Sequence, residues 1–183
     1  MHISLIGLPG SGKSTIGRQL ARVWKLRFVD IDHVIEQRLG CSIKDFFASH
    51  GEAAFRDMEA KVLAELLQEK TASVISTGGG AVLREENRAI LRALSTVFYL
   101  QSLPEDIARR LRTDTTRPLM QGEDPLKRLR DLLKVRAPLY LETAHYVVDA
   151  ARQNTAQVSR KICMQVDLAG LLNSSPCDKD VTD

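Results

Sequence analysis

The sequence predicts an α/β fold in which helices cover both faces of a five-stranded parallel sheet. Five short apolar runs alternate with helical patterns along 183 residues, which is the order that parallel sheets require. A glycine-rich loop, Gly7 to Ser14, joins the first run to the first helical pattern. These observations predict a three-layer α/β/α architecture that binds its ligands at the carboxyl ends of the strands.

The elements are predicted from their hydrophobic periods. Strands are expected at 3–6, 27–31, 73–76, 96–100 and 146–148. Helices are expected at about 14–24, 32–39, 52–69, 85–93, 104–112, 125–135 and 154–170.

Residues 1–172 are expected to form one domain with two insertions. The segment 33–60 is helical and lies between the second and third strands. The segment 112–124 is polar and poorly periodic, which is typical of a mobile lid. The polar tail, 173–183, is expected to be disordered.

Composition limits the classes of function. Hydrophobic residues make up 44% of the chain, and the net charge of +3 fits a small anionic ligand at least as well as nucleic acid. Aromatic residues make up only 5%, which disfavours base stacking. Cys41, Cys163 and Cys177 are widely spaced, and no signal peptide or membrane span is evident. We expect a cytoplasmic monomer without a nucleic-acid or membrane partner.

The glycine-rich loop fits the phosphate-binding pattern G-x-x-x-x-G-K-[ST]. Its glycines let bare backbone N–H groups approach phosphate oxygens, and the following helix adds its positive N-terminal end. Lys13 is expected to reach the β- and γ-phosphates, while the Ser14 hydroxyl can hold Mg²⁺. The alternative is a glycine turn before an ordinary helix. The predicted ATP contacts in this loop are Gly10, Ser11, Gly12, Lys13, Ser14 and Thr15.

Two aspartates close the second predicted strand. Period-2 alternation is expected to place Asp30 and Asp32 on one side of the strand end. Asp30 would help to orient Mg²⁺, and Asp32 could receive or orient an acceptor hydroxyl. The alternative is that these side chains cap the following helix.

A charged pair and a run of glycines are also candidates. Arg56 and Glu59 lie three residues apart on a predicted helix, where the alternative is a solvated ion pair. The glycines 78–80 follow the third strand, and such a run suits backbone that approaches a ligand closely. The alternative there is a plain flexible loop.

Several arginines remain ambiguous by themselves. Arg117 lies in the predicted lid, and Arg136 precedes a proline. Both could be ordinary surface residues. Arg109, Arg110 and Arg112 form a basic run, most simply a solvated helix face, of which one member could touch nucleotide.

Taken together, these motifs resemble the shikimate kinase family over about residues 2–150. The ordered set carries the resemblance: the phosphate-binding loop, Asp30-x-Asp32, Gly51-Glu52-x-x-Phe55-Arg56-x-x-Glu59, Thr77-Gly78-Gly79-Gly80, Arg117-Pro118-Leu119 and Arg136-x-Pro138-Leu139-Tyr140. Ser76 stands where the family often has a small apolar residue, a change expected to be harmless.

The resemblance implies the P-loop NTPase fold of the nucleoside monophosphate kinases. It also implies phosphorylation of the 3-hydroxyl of shikimate by ATP with Mg²⁺, in aromatic amino-acid biosynthesis. Lys13, Asp32 and Arg117 would be catalytic, with Ser14 and Asp30 at the metal. Arg110, Arg117 and Arg152 would contact ATP, and the shikimate site would comprise Asp32, Arg56, Glu59, Gly78, Gly79, Gly80 and Arg136.

Apart from the family resemblance, the residue types themselves fit a small hydroxylated acid as the substrate. Two arginines suit a carboxylate, an aspartate suits a hydroxyl, and the loop supplies the phosphoryl donor. Rival interpretations are another small-molecule kinase, such as a gluconate or nucleoside monophosphate kinase, and a GTP-dependent switch. The guanine signature [NT]-K-x-D that a switch requires is missing from the sequence.

Overall fold

The computed structural model describes residues 1–113 and 124–172, and its centre is one parallel sheet of five strands. The strands are β1 (His2–Ile6), β2 (Arg27–Asp30), β3 (Ser73–Ser76), β4 (Ser95–Gln101) and β5 (Tyr146–Asp149). Their spatial order is β2-β3-β1-β4-β5, and every neighbouring pair is parallel. The predicted fold class is confirmed, and each predicted strand matches one of these five.

Seven α-helices and one short 3₁₀ turn (Ala81–Leu83) surround the sheet in the described part of the chain. The helices are α1 (Lys13–Trp24), α2 (Ile31–Leu39), α3 (Ile43–Gln68), α4 (Glu85–Leu94), α5 (Pro104–Thr113), α6 (Pro125–Thr143) and α7 (Thr155–Leu168). None of these helices combines the length and the apolar composition that crossing a bilayer requires.

Two helices differ from the predictions. α3 begins at Ile43 instead of 52, with Ser42 accepting a bond from the Asp45 N–H, and it kinks at Gly51, where φ is 80°. α6 continues through Pro138 to Thr143 instead of ending at 135. Proline removes one helical hydrogen bond, but burial of side chains such as Tyr140 outweighs that loss.

The core is divided by the sheet into two apolar clusters. β1 contributes Ile3 and Leu5 to the cluster under α1 and α7, while Ile6 joins the cluster under α3 and α6. Both faces of the sheet are therefore buried, as expected for parallel strands.

The topology brings three loops together. β2, β3 and β1 are neighbours, so the segments that follow them share one edge of the sheet. These segments are the glycine-rich loop after β1, the start of α2 after β2, and the glycines after β3.

Candidate active site

The loop after β1 has the backbone that phosphate binding requires. Gly10 and Gly12 have φ values of 78° and 92°, a left-handed region that side chains disfavour. A Cβ on Gly10 would also lie 2.8 Å from Ile107 Cγ2, so α5 packs directly against the loop. The loop ends at the N-terminus of α1, which has no side-chain cap, and the N–H groups of a helix start suit an anion.

Lys13 is held inside this loop. Its Nζ donates to the carbonyl oxygens of Gly7 at 3.0 Å and Leu8 at 2.8 Å, and the residue is only 7% exposed. Lys13 thus helps to shape the loop, a second role that the motif alone does not indicate.

Three oxygen-bearing side chains meet beside the start of α1. Ser14 Oγ donates to Asp30 Oδ2 at 2.6 Å and lies 3.3 Å from Ser76 Oγ. Hard oxygen donors of this kind are the ligands that Mg²⁺ prefers, usually with several waters. Ser76 was not predicted as a site residue, although a polar residue that ends a buried strand beside the loop is a usable signal.

The predicted arrangement of the two aspartates is wrong in one respect. β2 ends at Asp30, and Asp32 lies in the first turn of α2, so strand alternation does not align them. Asp30 occupies the position before α2, but its side chain makes no capping hydrogen bond and bonds Ser14 instead. The helical turn, rather than the pleat, therefore sets the relation between these carboxylates.

Asp32 has an unusual electrostatic environment. Burial, together with the charge of Asp30, raises its pKa from 3.8 to about 6. The Lys13 ammonium lowers this pKa, and Glu59 raises it further. Asp32 thus lies within electrostatic reach of both the phosphate-binding loop and α3, with a pKa close to neutral pH.

Arg56 and Glu59 form a buried pair, not the solvated pair given as the alternative. Arg56 Nη1 donates to Glu59 Oε2 at 2.6 Å, with side chains 13% and 1% exposed. Burial raises the pKa of Glu59, while the Arg56 guanidinium opposes this shift. Glu59 Oε1 is buried without a hydrogen-bond partner in the described part of the chain. A buried ion pair contributes little net stability, because removing both charges from water costs about as much as their attraction returns. This favours a functional role for Arg56 and Glu59.

None of the glycines 78–80 has a left-handed φ, and the space that a Cβ would need at each position is taken by neighbouring side chains. A Cβ on Gly78 would lie 2.6 Å from Glu59 Oε1 and 2.9 Å from Asp32 Oδ1. On Gly79 it would lie 2.7 Å from Pro9 Cδ, and on Gly80 it would overlap the Arg56 guanidinium. The segment is closely packed, so the flexible-loop alternative does not describe it.

Arg136 on α6 faces the same group of side chains. It is half-buried, and its charge lowers the pKa of Glu59 and of Tyr140. Arg56 acts on both of these groups as well. The two arginines predicted for the carboxylate therefore share one neighbourhood, beside the tilted rings of Phe47 and Phe55, whose centroids are 4.7 Å apart.

Two of the arginines predicted to contact ATP, Arg110 and Arg152, lie among the described residues. Arg110 Nη1 lies 3.9 Å from the position of a Cβ on Gly12. Arg152 is exposed and has a left-handed φ of 54°. Its N–H donates to Asp106 Oδ2 at 2.8 Å, which fixes the segment after β5 against α5. Asp106 was not predicted, because nothing in its local sequence distinguishes it from an acidic first turn.

The comparisons with known proteins agree on one family. The shikimate kinase family model matches residues 9–167. A shikimate kinase of Paracidovorax citrulli is 53% identical over 96% of this chain and 97% of its own. The chain belongs to the shikimate kinase family. A solved shikimate kinase from Acinetobacter baumannii in complex with shikimate is 41% identical, with a TM-score of 0.84 over 94% of this chain and 95% of that one.

This family uses ATP as its co-substrate, so the chain is a phosphotransferase, as predicted. One of the rival kinases is similar to the chain in architecture only. A gluconokinase from Sinorhizobium meliloti is 16% identical, with a TM-score of 0.54 over 94% of this chain and 97% of its own. That likeness shows the fold alone, and the switch interpretation is not adopted.

Part of the predicted site lies outside the described residues. Arg117 and most of the predicted lid, 112–124, fall there, as does the predicted tail, 173–183. The structure brings together Lys13, Ser14, Asp30 and Asp32, and beside them Arg56, Glu59 and the glycines.

Proposed function

We propose that this shikimate kinase family member transfers the γ-phosphoryl group of ATP to the 3-hydroxyl of shikimate, using Asp32 as the general base. One observation carries the assignment of Asp32: its carboxylate lies beside Glu59 at Gly78, and its pKa responds to the charge of Lys13 in the phosphate-binding loop. A carboxylate in that place can face both the acceptor hydroxyl and the phosphoryl group.

The shikimate carboxylate is assigned to Arg56 and Arg136. Planar guanidinium groups bind carboxylates through paired N–H donors, and the charges of both arginines act on Glu59. Glu59 holds Arg56 in orientation through the 2.6 Å bond. The packed backbone of Gly78, Gly79 and Gly80 forms the floor of this site.

Phosphoryl transfer then needs positioning and charge stabilisation more than covalent chemistry. The Asp32 carboxylate accepts the proton of the 3-hydroxyl, whose oxygen forms the new bond to the γ-phosphorus. The bond from that phosphorus to the β–γ bridging oxygen breaks, and ADP leaves with the electron pair. A pKa of about 6 keeps Asp32 ionised at neutral pH and still able to accept a proton.

Ser14 and Asp30 are assigned to Mg²⁺, with Ser76 beside them. When bound, Mg²⁺ neutralises charge on the phosphate oxygens. The bond between Ser14 and Asp30 orients these two side chains toward the same point.

The nucleotide is assigned to the loop and to three arginines. Backbone groups of Gly10, Ser11, Gly12, Ser14 and Thr15 cradle the phosphates, with Lys13 as the adjacent cation. Arg110 and Arg152 border the adenine. The hydrogen bond from the Arg152 N–H to Asp106 holds the Arg152 backbone in place. Arg117 is proposed to reach the phosphates from the lid.

The proposal includes a monomer in the cytoplasm that acts on small molecules alone. Cys41 is an exposed free thiol, which suits a reducing compartment. Neither nucleic acid nor membrane is part of the proposed activity.

A coupled ADP-release assay tests the reaction. We expect Mg²⁺-dependent ADP release with shikimate far above the rate without acceptor, and no comparable rate with gluconate. The product should be the 3-phosphate by NMR spectroscopy. Release with shikimate no faster than with water would contradict the proposal.

The arginine clamp makes a prediction of its own. Arg136→Lys keeps the charge but loses the planar fork, so the shikimate KM should rise about 10-fold or more while the ATP KM stays nearly constant. Arg130→Lys on the same helix is the matched control, since Arg130 is 59% exposed and pairs with Glu105. An unchanged shikimate KM in Arg136→Lys would remove Arg136 from the clamp.

A further inference from the structure

Tyr140 joins two parts of the proposed shikimate site. It lies on α6 one helical turn after Arg136, and the whole residue is 0% exposed. Its hydroxyl donates to the carbonyl oxygen of Gly79 at 2.6 Å. Its ring stacks on Tyr99 of β4, with centroids 4.9 Å apart. A buried hydroxyl with such a short bond to the glycine segment does more than fill space.

Tyr140 also interacts with Arg136. Burial raises the Tyr140 pKa well above its ordinary value, and the charge and hydrogen bonding of Arg136 oppose this rise. The hydroxyl therefore stays protonated and donates to the Gly79 carbonyl. Tyr140 thus fixes the Gly79 peptide within electrostatic reach of Arg136.

The glycine segment is held from two sides. Pro9 of the phosphate-binding loop packs against Gly79 so closely that a Cβ would lie 2.7 Å from Pro9 Cδ. Tyr140 fixes the same peptide from α6. Pro9 limits movement by contact alone, whereas the hydroxyl also sets the orientation of the peptide.

We propose that Tyr140 is a positioning residue for acceptor binding, whose hydroxyl fixes the Gly79 peptide beside Arg136. The inference rests on the proposed function, since it takes Arg136 and the glycines as the acceptor site. Tyr140 does not touch the substrate in this account. It acts through groups that do.

Tyr140→Phe removes the hydroxyl and keeps the stacked ring. We expect the shikimate KM to rise about 5- to 30-fold, which corresponds to losing about 1–2 kcal/mol of hydrogen bonding. The ATP KM should change little, whereas the melting temperature should fall by about 2–8 °C because the buried Gly79 carbonyl loses its donor. Tyr99→Phe is the matched control: it removes a buried hydroxyl from the same ring pair without touching Gly79, and its shikimate KM should stay that of the wild type.

A double-mutant cycle with Arg136→Lys tests whether Tyr140 and Arg136 act together in shikimate binding. It also separates that effect from a general loss of structure. If Tyr140 and Arg136 serve the same acceptor site, the effects of Tyr140→Phe and Arg136→Lys on shikimate KM should be clearly less than multiplicative in the double variant. Equal rises in the KM of both substrates, additive effects, or an unchanged shikimate KM would each overturn the inference. Wild-type enzyme without shikimate-dependent ADP release would instead refute the proposed function, so the two failures are distinguishable.

Discussion

Lys13→Ala is expected to lower kcat by at least about 10³-fold, because a single cation placed on the transferring phosphoryl group is worth roughly 10³–10⁵ in related enzymes. The structure adds a second effect. The Lys13 ammonium donates to the Gly7 and Leu8 carbonyls, and its loss leaves both oxygens buried without this donor. We therefore expect the free energy of unfolding to fall by about 1–3 kcal/mol as well.

The measurement is single-turnover ADP release together with thermal unfolding of the same preparations. Lys61→Ala is the control, because Lys61 is exposed on α3 and should change neither quantity. Near-normal turnover in a folded Lys13→Ala enzyme would exclude Lys13 from catalysis. That result would leave the lysine as a purely structural member of the loop.

Asp32→Asn has the second largest expected effect. The amide keeps the shape but cannot accept the hydroxyl proton, so kcat should fall by about 10²–10⁴-fold. Asp57→Asn is the matched control, because Asp57 is exposed on α3 and pairs with Arg84 at the surface. Asp32→Asn turning over at the wild-type rate would show that no proton passes to this carboxylate.

The same substitution should stabilise the protein. The folded pKa of Asp32, about 6, lies above its ordinary value of 3.8, so the folded state holds this proton more tightly. Stability must then fall as pH rises from about 4 to about 6, by at most about 3 kcal/mol for two pKa units. We expect Asp32→Asn to unfold at a higher temperature than wild type at pH 8, and the difference to vanish below pH 4.

Much of this fold can be predicted from the sequence because local signals and tertiary contacts agree. The five strands are short apolar runs bounded by loops. Such runs are typical of parallel strands that are buried on both faces of a sheet. α6 is the exception. Pro138 marks a helix end by local rules, yet the buried contacts of Tyr140 carry the helix onward.

The sequence indicates which residues form the site, but it does not indicate how they are arranged in space. Asp32 has its place in a helical turn, which depends on where β2 stops and α2 begins. The burial of Glu59 follows from the packing of α3 against the glycine segment, which spacing alone cannot reveal. Ser76 and Asp106 act through contacts with residues 62 and 46 positions away, beyond the range of any local pattern.

The pH dependence of kcat/KM for shikimate, measured at saturating ATP, tests the central role of Asp32 most directly. Between pH 5 and 8 the account predicts a rate that rises with pH and then levels off, because burial raises the Asp32 pKa above that of an ordinary aspartate. The residual activity of Asp32→Asn should lack this rise, while Asp57→Asn should retain it. A wild-type rate that does not change across this range, or a rise that persists unchanged in Asp32→Asn, would contradict the assignment of Asp32 as the base.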